Sequence, residues 1–147
     1  MSKLSHGLVI HENDTLWRFN PSNNESTLLH FNRIPIGSYV FLGKEIFWSS
    51  ANNSSKIYSA LINEGNTENE HLDVIFEEKR VSPNAVAVDH YTQKLYVLDE
   101  SLGTLLVIDK ETKKYTILRT DLKDPREIFL DAAQGLMFIL QYSTSVS

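Results

Sequence analysis

One stretch of this chain, Ser82 to Asp99 (SPNAVAVDHYTQKLYVLD), occurs twice, and that recurrence limits the possible folds more than any other feature of the 147 residues. Slid forward, it lands on Asp124 to Gln141 (DPREIFLDAAQGLMFILQ), placing Pro83 on Pro125, Asp89 on Asp131 and Tyr96 on Phe138. The offset is constant, since 125 − 83, 131 − 89 and 138 − 96 all give 42. Between these anchors apolar residues fall on apolar ones: Val86 on Ile128, Val88 on Leu130, Leu95 on Met137, Val97 on Ile139 and Leu98 on Leu140. A period in the forties built from short strands is the pattern of propeller blades.

The remaining sequence divides in the same way. Short β-rich runs at 7–11, 15–19 and 26–31, broken by Asn, Asp and Pro, form a meander with no helical period. Four strands are expected at 36–40, 45–48, 56–62 and 71–76, and four more at 84–88, 94–98, 104–108 and 115–119. A last pair, 126–130 and 136–140, begins another unit. The expected architecture is therefore all-β and a single domain, 1–147, with units at about 7–31, 34–76, 82–119 and 124–141 and no second domain. The second unit exceeds the period, because 96 − 47 is 49, and the excess lies mainly in the acidic loop 63–70. Such a loop reads as a solvated surface excursion.

Leu95-Tyr-Val-Leu98 and Thr104-Leu-Leu-Val-Ile108 are apolar without alternation, which predicts strands covered on both faces. Radially stacked sheets give their inner strands that environment. Asp99–Gly103 and Asp109–Lys113 then close hairpins, with Gly103 free to take a positive φ.

Composition serves mainly to exclude. A formal net charge of −5 with scattered Lys and Arg argues against a nucleic-acid partner. With no cysteine there is no disulfide, thiolate metal site or cysteine nucleophile. Apolar runs of about five residues fall far short of the roughly 20 that a membrane helix requires, so no membrane contact is expected of this segment. The opening MSKLSHGLVI has too short an apolar stretch for a signal peptide, leaving a cytosolic chain or one whose true N-terminus lies upstream. Against the cytosol stand N-x-[ST] acceptors at Asn13, Asn24, Asn52 and Asn53, all in turn-like stretches, which would be glycosylation sites in a secreted chain.

Residues 82–140 resemble consecutive class B repeats of the low-density lipoprotein receptor family, the YWTD β-propeller. Three features carry the likeness: the Pro-x-x-[apolar]₃-Asp strands at Pro83–Asp89 and Pro125–Asp131, the Pro125-Arg126 pair, and the approach Lys94-Leu95-Tyr96 followed by Gly103-Thr104-Leu105. Leu8–Asn20 is similar to the opening strands of such a domain. Where the family places Tyr-Trp-Thr-Asp, this chain has Phe47-Trp48-Ser49-Ser50, Tyr96-Val97-Leu98-Asp99 and Phe138-Ile139-Leu140-Gln141. The aromatic first position persists while the Trp and the Asp each survive once, which puts the family's polar network in doubt and suggests a divergent member, in the manner of invertebrate lipoprotein or vitellogenin receptors.

The resemblance implies part of a six-bladed propeller, about three to four antiparallel four-stranded blades, and hence a fragment of a longer chain. It implies a non-catalytic role in binding, uptake or acid-dependent release of a protein or lipoprotein ligand. EGF-like or ligand-binding modules would neighbour it in the parent chain, on the outer side of the plasma membrane and in endosomes. Two alternatives stand beside this reading: a calcium-dependent lactonase, which also uses six blades, and an intracellular interaction scaffold.

The residues themselves offer no catalytic signature: nucleophile elbow, zinc helix, phosphate loop and dinucleotide fingerprint are all missing from the sequence. No cofactor or metal ligand is assigned. Asp89 and Asp131, at equivalent strand ends, are read as acceptors for turn N–H groups. Trp17 and Trp48 are read as core or inter-blade residues. His6, His11, His30, His71 and His90 are dispersed and read as surface or turn residues. Of these, His90 sits at a propeller face, where a side chain titrating near neutrality would suit an acid-triggered switch.

Overall fold

The computed structural model describes residues 8–12, 15–31, 35–52, 54–62 and 72–142. Thirteen strands and no helix occur among them. Sheet 1 contains β1 (Leu8–Glu12), β2 (Thr15–Asn20) and β3 (Glu25–Phe31). Sheet 2 contains β4 (Ile36–Leu42), β5 (Glu45–Ser50), β6 (Lys56–Leu61) and β7 (Leu72–Glu77). Sheet 3 contains β8 (Pro83–Asp89), β9 (Lys94–Asp99), β10 (Thr104–Asp109) and β11 (Tyr115–Arg119). Sheet 4 contains only β12 (Pro125–Asp131) and β13 (Leu136–Gln141). Each sheet is an antiparallel meander in chain order.

Every strand read from the sequence is present, within two residues at either end. Two of the four sheets have the full complement of four strands. Sheet 1 has three and sheet 4 two among the described residues. The loop 63–70 lies outside the described residues.

The sheets stack, and along the inner strands of sheets 2 and 3 alternate residues face the preceding and the following sheet. Trp48 and Ile46 of β5 join Leu16 of β2 in a cluster between sheets 1 and 2. Their neighbour Phe47 points the other way, into a cluster with Val86, Val88, Leu95, Val97, Leu106 and Ile108 of sheet 3. Ala85, Ala87, Leu98 and Leu105 in turn meet Ile128 of sheet 4, with Leu130, Met137 and Ile139 packed alongside. The loss of alternation in β9 and β10 is thus explained: both faces are buried, each against a different sheet. Each fully buried Leu or Val here contributes about 1.5–3 kcal/mol through burial.

The innermost strands are also joined by polar contacts. Val86 N–H of β8 donates to Ser38 Oγ of β4 at 3.1 Å, and Asn84 Nδ2 of β8 donates to the Pro125 carbonyl of β12 at 2.7 Å. One backbone bond recurs at the base of three sheets: Ala51 N–H to Pro35 O at 2.9 Å, Glu100 N–H to Ser82 O at 3.2 Å, and Tyr142 N–H to Asp124 O at 3.2 Å. The repeat therefore persists in the backbone where the side chains have diverged.

Turn chemistry sets the hairpin ends. Gly103 takes φ +64°, and a Cβ at this position would collide with the Leu122 carbonyl oxygen. Leu122 N–H donates to Gly103 O at 2.9 Å, so the segment leading into sheet 4 is held directly against this glycine. Lys113, which closes the next hairpin, also has a positive φ, +59°.

Candidate functional site

The innermost strands β4, β8 and β12 lie side by side and leave an open groove of about 830 Å³ along their exposed edges. This is within the size range of ligand sites. Its walls carry Tyr39 and Phe41, which meet edge to face at 5.7 Å, together with Phe129, and its polar lining includes Ser38, Asn84, His90, Arg126 and Glu127.

A charged cluster marks the end of the groove where β8 and β12 begin. Arg126 donates to Asp124 Oδ1 at 2.7 Å, lies 3.9 Å from Glu100 Oε2 and sits 5.4 Å from the centroid of the Tyr142 ring. The Asp124 hydrogen bond, aided by the charges of Asp124 and Glu100, raises the guanidinium pKa, so Arg126 is cationic at every relevant pH. Asn84 Nδ2 lies 3.3 Å from the same Glu100 carboxylate. Its Oδ1 is buried and accepts no hydrogen bond from the described residues. Arg126 and Asn84 stand at equivalent places in successive sheets, yet Arg126 reaches back to sheet 3 while Asn84 reaches forward to sheet 4.

At the opposite end, Asp89 Oδ1 accepts Tyr91 N–H at 2.9 Å and Thr92 N–H at 3.4 Å. These turn N–H groups hold the Asp89 carboxyl below its usual range. Asp131 Oδ1 accepts Gln134 N–H at 3.2 Å in the equivalent turn. His90 is exposed in the turn after β8 and lines the groove.

The motif residues lie elsewhere, in the sheets. Phe47 and Trp48 are fully buried, and Trp48 stacks on Tyr58 at 5.6 Å. Trp17 is half-buried. Pro83 and Pro125 are buried at the starts of β8 and β12. Tyr96 is half-buried, and Phe138 is 56% exposed. Asp99 is fully buried: its carboxylate accepts the N–H of Ser82 and of Ser101, the Ser101 hydroxyl and, at 3.2 Å, the Thr104 hydroxyl. Asn24 and Asn52 are exposed in turns. His11 and His30 fall within strands β1 and β3 rather than in turns. Asn13, Asn53, His6 and His71 lie outside the described residues. Among the described residues no three His, Asp or Glu side chains converge as a metal site.

The groove and the Arg126 cluster were not visible in the sequence. Tyr39, Asn84 and Arg126 come from three successive inner strands, and only stacking brings them together.

No protein-family model and no curated protein matches this sequence. Among solved structures, a chain in the crystal structure of a nidogen/laminin complex is similar, with a TM-score of 0.71 and 19% identity over 92% of this chain. The fold is that of a YWTD-type β-propeller, in part. The match covers 52% of the solved chain, so this propeller segment spans about half its length. In a propeller the groove along the inner strands is the wall of the central channel, and the Arg126 and His90 ends belong to opposite faces.

Proposed function

We propose that this propeller segment is a non-catalytic protein-binding module of a low-density lipoprotein receptor-like endocytic receptor. Its parent chain would carry EGF-like or ligand-binding modules beside it, work at the cell surface and in endosomes, and take up a lipoprotein or yolk protein. The observation that carries the reading is the fold itself, shared with a chain solved in a protein–protein complex. The groove supports it: aromatic walls and an Arg–Tyr pair at one end are features that protein interfaces favour over bulk surface. Acid-dependent release would involve His90, which stands exposed at one end of the groove next to Asp89.

The test is binding of purified low-density lipoprotein and of purified vitellogenin to the immobilised chain at pH 7.4 and about 5.5, the range over which an ordinary His protonates. Saturable binding of either at neutral pH, weakened in acid and rendered pH-independent by His90→Ala, is the expected result. Absence of binding by both, or calcium-dependent lactone hydrolysis by the chain, would contradict the proposal.

A further inference from the structure

Strand β11 is the outer edge of sheet 3 and is exposed along its whole length. Residues 115–119 make no backbone hydrogen bond outward from the sheet among the described residues. Tyr115 and Ile117 lie on the side of the sheet that faces sheet 2, because their cross-strand partners Ile108 and Leu106 belong to the cluster between those two sheets. Sheet 2 has all four of its strands, and the Tyr115 ring meets Phe76 of β7 edge to face at 5.1 Å, yet Tyr115 is still 43% and Ile117 53% exposed. Their exposure is therefore not a gap that a further sheet would fill. The corresponding strand of sheet 2 is different. Ile75 and Phe76 of β7 are buried, and its carboxylates are each paired, Asp73 with Lys113 at 3.2 Å and Glu77 with Lys56 at 3.7 Å. Cations bracket β11 instead, with Lys113 and Lys114 before it, Arg119 at its end and no carboxylate between them. Lys114 and Arg119 have no carboxylate within ion-pair distance among the described residues.

We propose that β11 is a docking edge for an extended acidic segment of another protein, which adds to sheet 3 as a fifth strand and sets carboxylates against Lys114 and Arg119. Main-chain bonds to the free edge supply the attachment, the exposed sides of Tyr115 and Ile117 supply apolar contact, and the two cations select the sequence. The same cations discourage a second copy of this chain. Two β11 edges paired antiparallel about a two-fold axis near Thr116 and Ile117 would set Lys114 of one copy beside Arg119 of the other, a like-charge contact of the kind that keeps exposed edges from self-association. Leu118 is the extra residue of a bulge, with Ile117 opposite Leu106 and Arg119 opposite Leu105, so the regular edge is confined to residues 115–117. This surface lies at the outer rim of sheet 3, apart from the groove along β4, β8 and β12, and takes its partner independently of that groove.

The test titrates two labelled peptides against the 147-residue chain by fluorescence anisotropy at low salt, both with the same Thr- and Val-rich centre, one flanked by Glu and the other by Lys. The Glu peptide is expected to bind at least about tenfold tighter, since two opposite-charge pairs take the place of two like-charge contacts. The double change Lys114→Glu with Arg119→Glu reverses the preference, and Ile117→Thr, which keeps a strand-forming residue, weakens both peptides. In hydrogen exchange the bound Glu peptide slows the amides of residues 115–117. Equal binding of the two peptides, no binding of either at about millimolar concentration, or binding that leaves those amides unprotected overturns the inference. So does self-association of the chain that the double change abolishes, which would identify the occupant as a second copy. His90→Ala leaves peptide binding unchanged, which separates this test from that of the groove.

Discussion

Asp99 Oδ1 accepts the backbone N–H of Ser82 at 2.9 Å, tying the end of β9 to the entry of β8 within sheet 3. The same oxygen accepts the Ser101 N–H at 2.9 Å, so one fully buried side chain satisfies two backbone donors in the connections around it. Asp99→Ala leaves both donors unpaired and is expected to cost about 3 kcal/mol, read as a shift in the urea midpoint at unchanged slope. Asp99→Asn keeps one acceptor oxygen and should cost less than half as much.

Gly103 and Gly135 share a positive φ, +64° and +66°, but differ in surroundings: the first abuts the Leu122 carbonyl and the second has open space. Gly135→Ala should lose about 1 kcal/mol, the cost of an L-residue in the left-handed region. Gly103→Ala adds a backbone collision and should lose at least about twice that, shown by comparing their thermal unfolding.

Phe47, Tyr96 and Phe138 occupy one position in three sheets, and their burial falls from complete at Phe47 through intermediate at Tyr96 to 56% exposure at Phe138 as the covering sheet thins out. Phe47→Ala is expected to destabilise by about 3–5 kcal/mol and Phe138→Ala by less than about 1. Tyr96→Ala should fall between them. Equal losses at all three positions in denaturant melts would contradict the stacked arrangement.

Turn N–H bonds hold the Asp89 and Asp109 carboxyls below their ordinary value of 3.8. A carboxylate whose pKa is lower folded than unfolded stabilises the fold above its unfolded value and loses that contribution as the pH falls through the folded one. Stability measured by urea unfolding should therefore decline on acidification below about pH 4. The double change Asp89→Asn with Asp109→Asn should make that decline shallower.

The period of 42 was legible because its anchors have backbone duties: Pro83 and Pro125 open the inner strands, and Asp89 and Asp131 accept N–H groups in the turns that follow. The polar network was less legible. Ser50, Asp99 and Gln141 share one position and look unrelated, yet Ser50 Oγ accepts Asn52 N–H at 3.2 Å and Gln141 Oε1 accepts Lys123 N–H at 2.8 Å. The site requires an oxygen within reach of a turn N–H, and three side chains of different length supply one. The groove was hidden for another reason. Its residues lie one repeat apart in the chain, and no spacing rule within a single strand links them.

Hydrogen exchange resolved by strand tests the stacked arc most directly. β5 and β9 lie between two neighbouring strands and two sheets, whereas β13 has one strand neighbour and one covered face among the described residues. Amides of β5 and β9 should therefore exchange slowest, through the largest opening of the molecule, and those of β13 much faster. Protection of β13 equal to that of β9, or rapid exchange throughout β9, would contradict a propeller arc in which each sheet is held by the next.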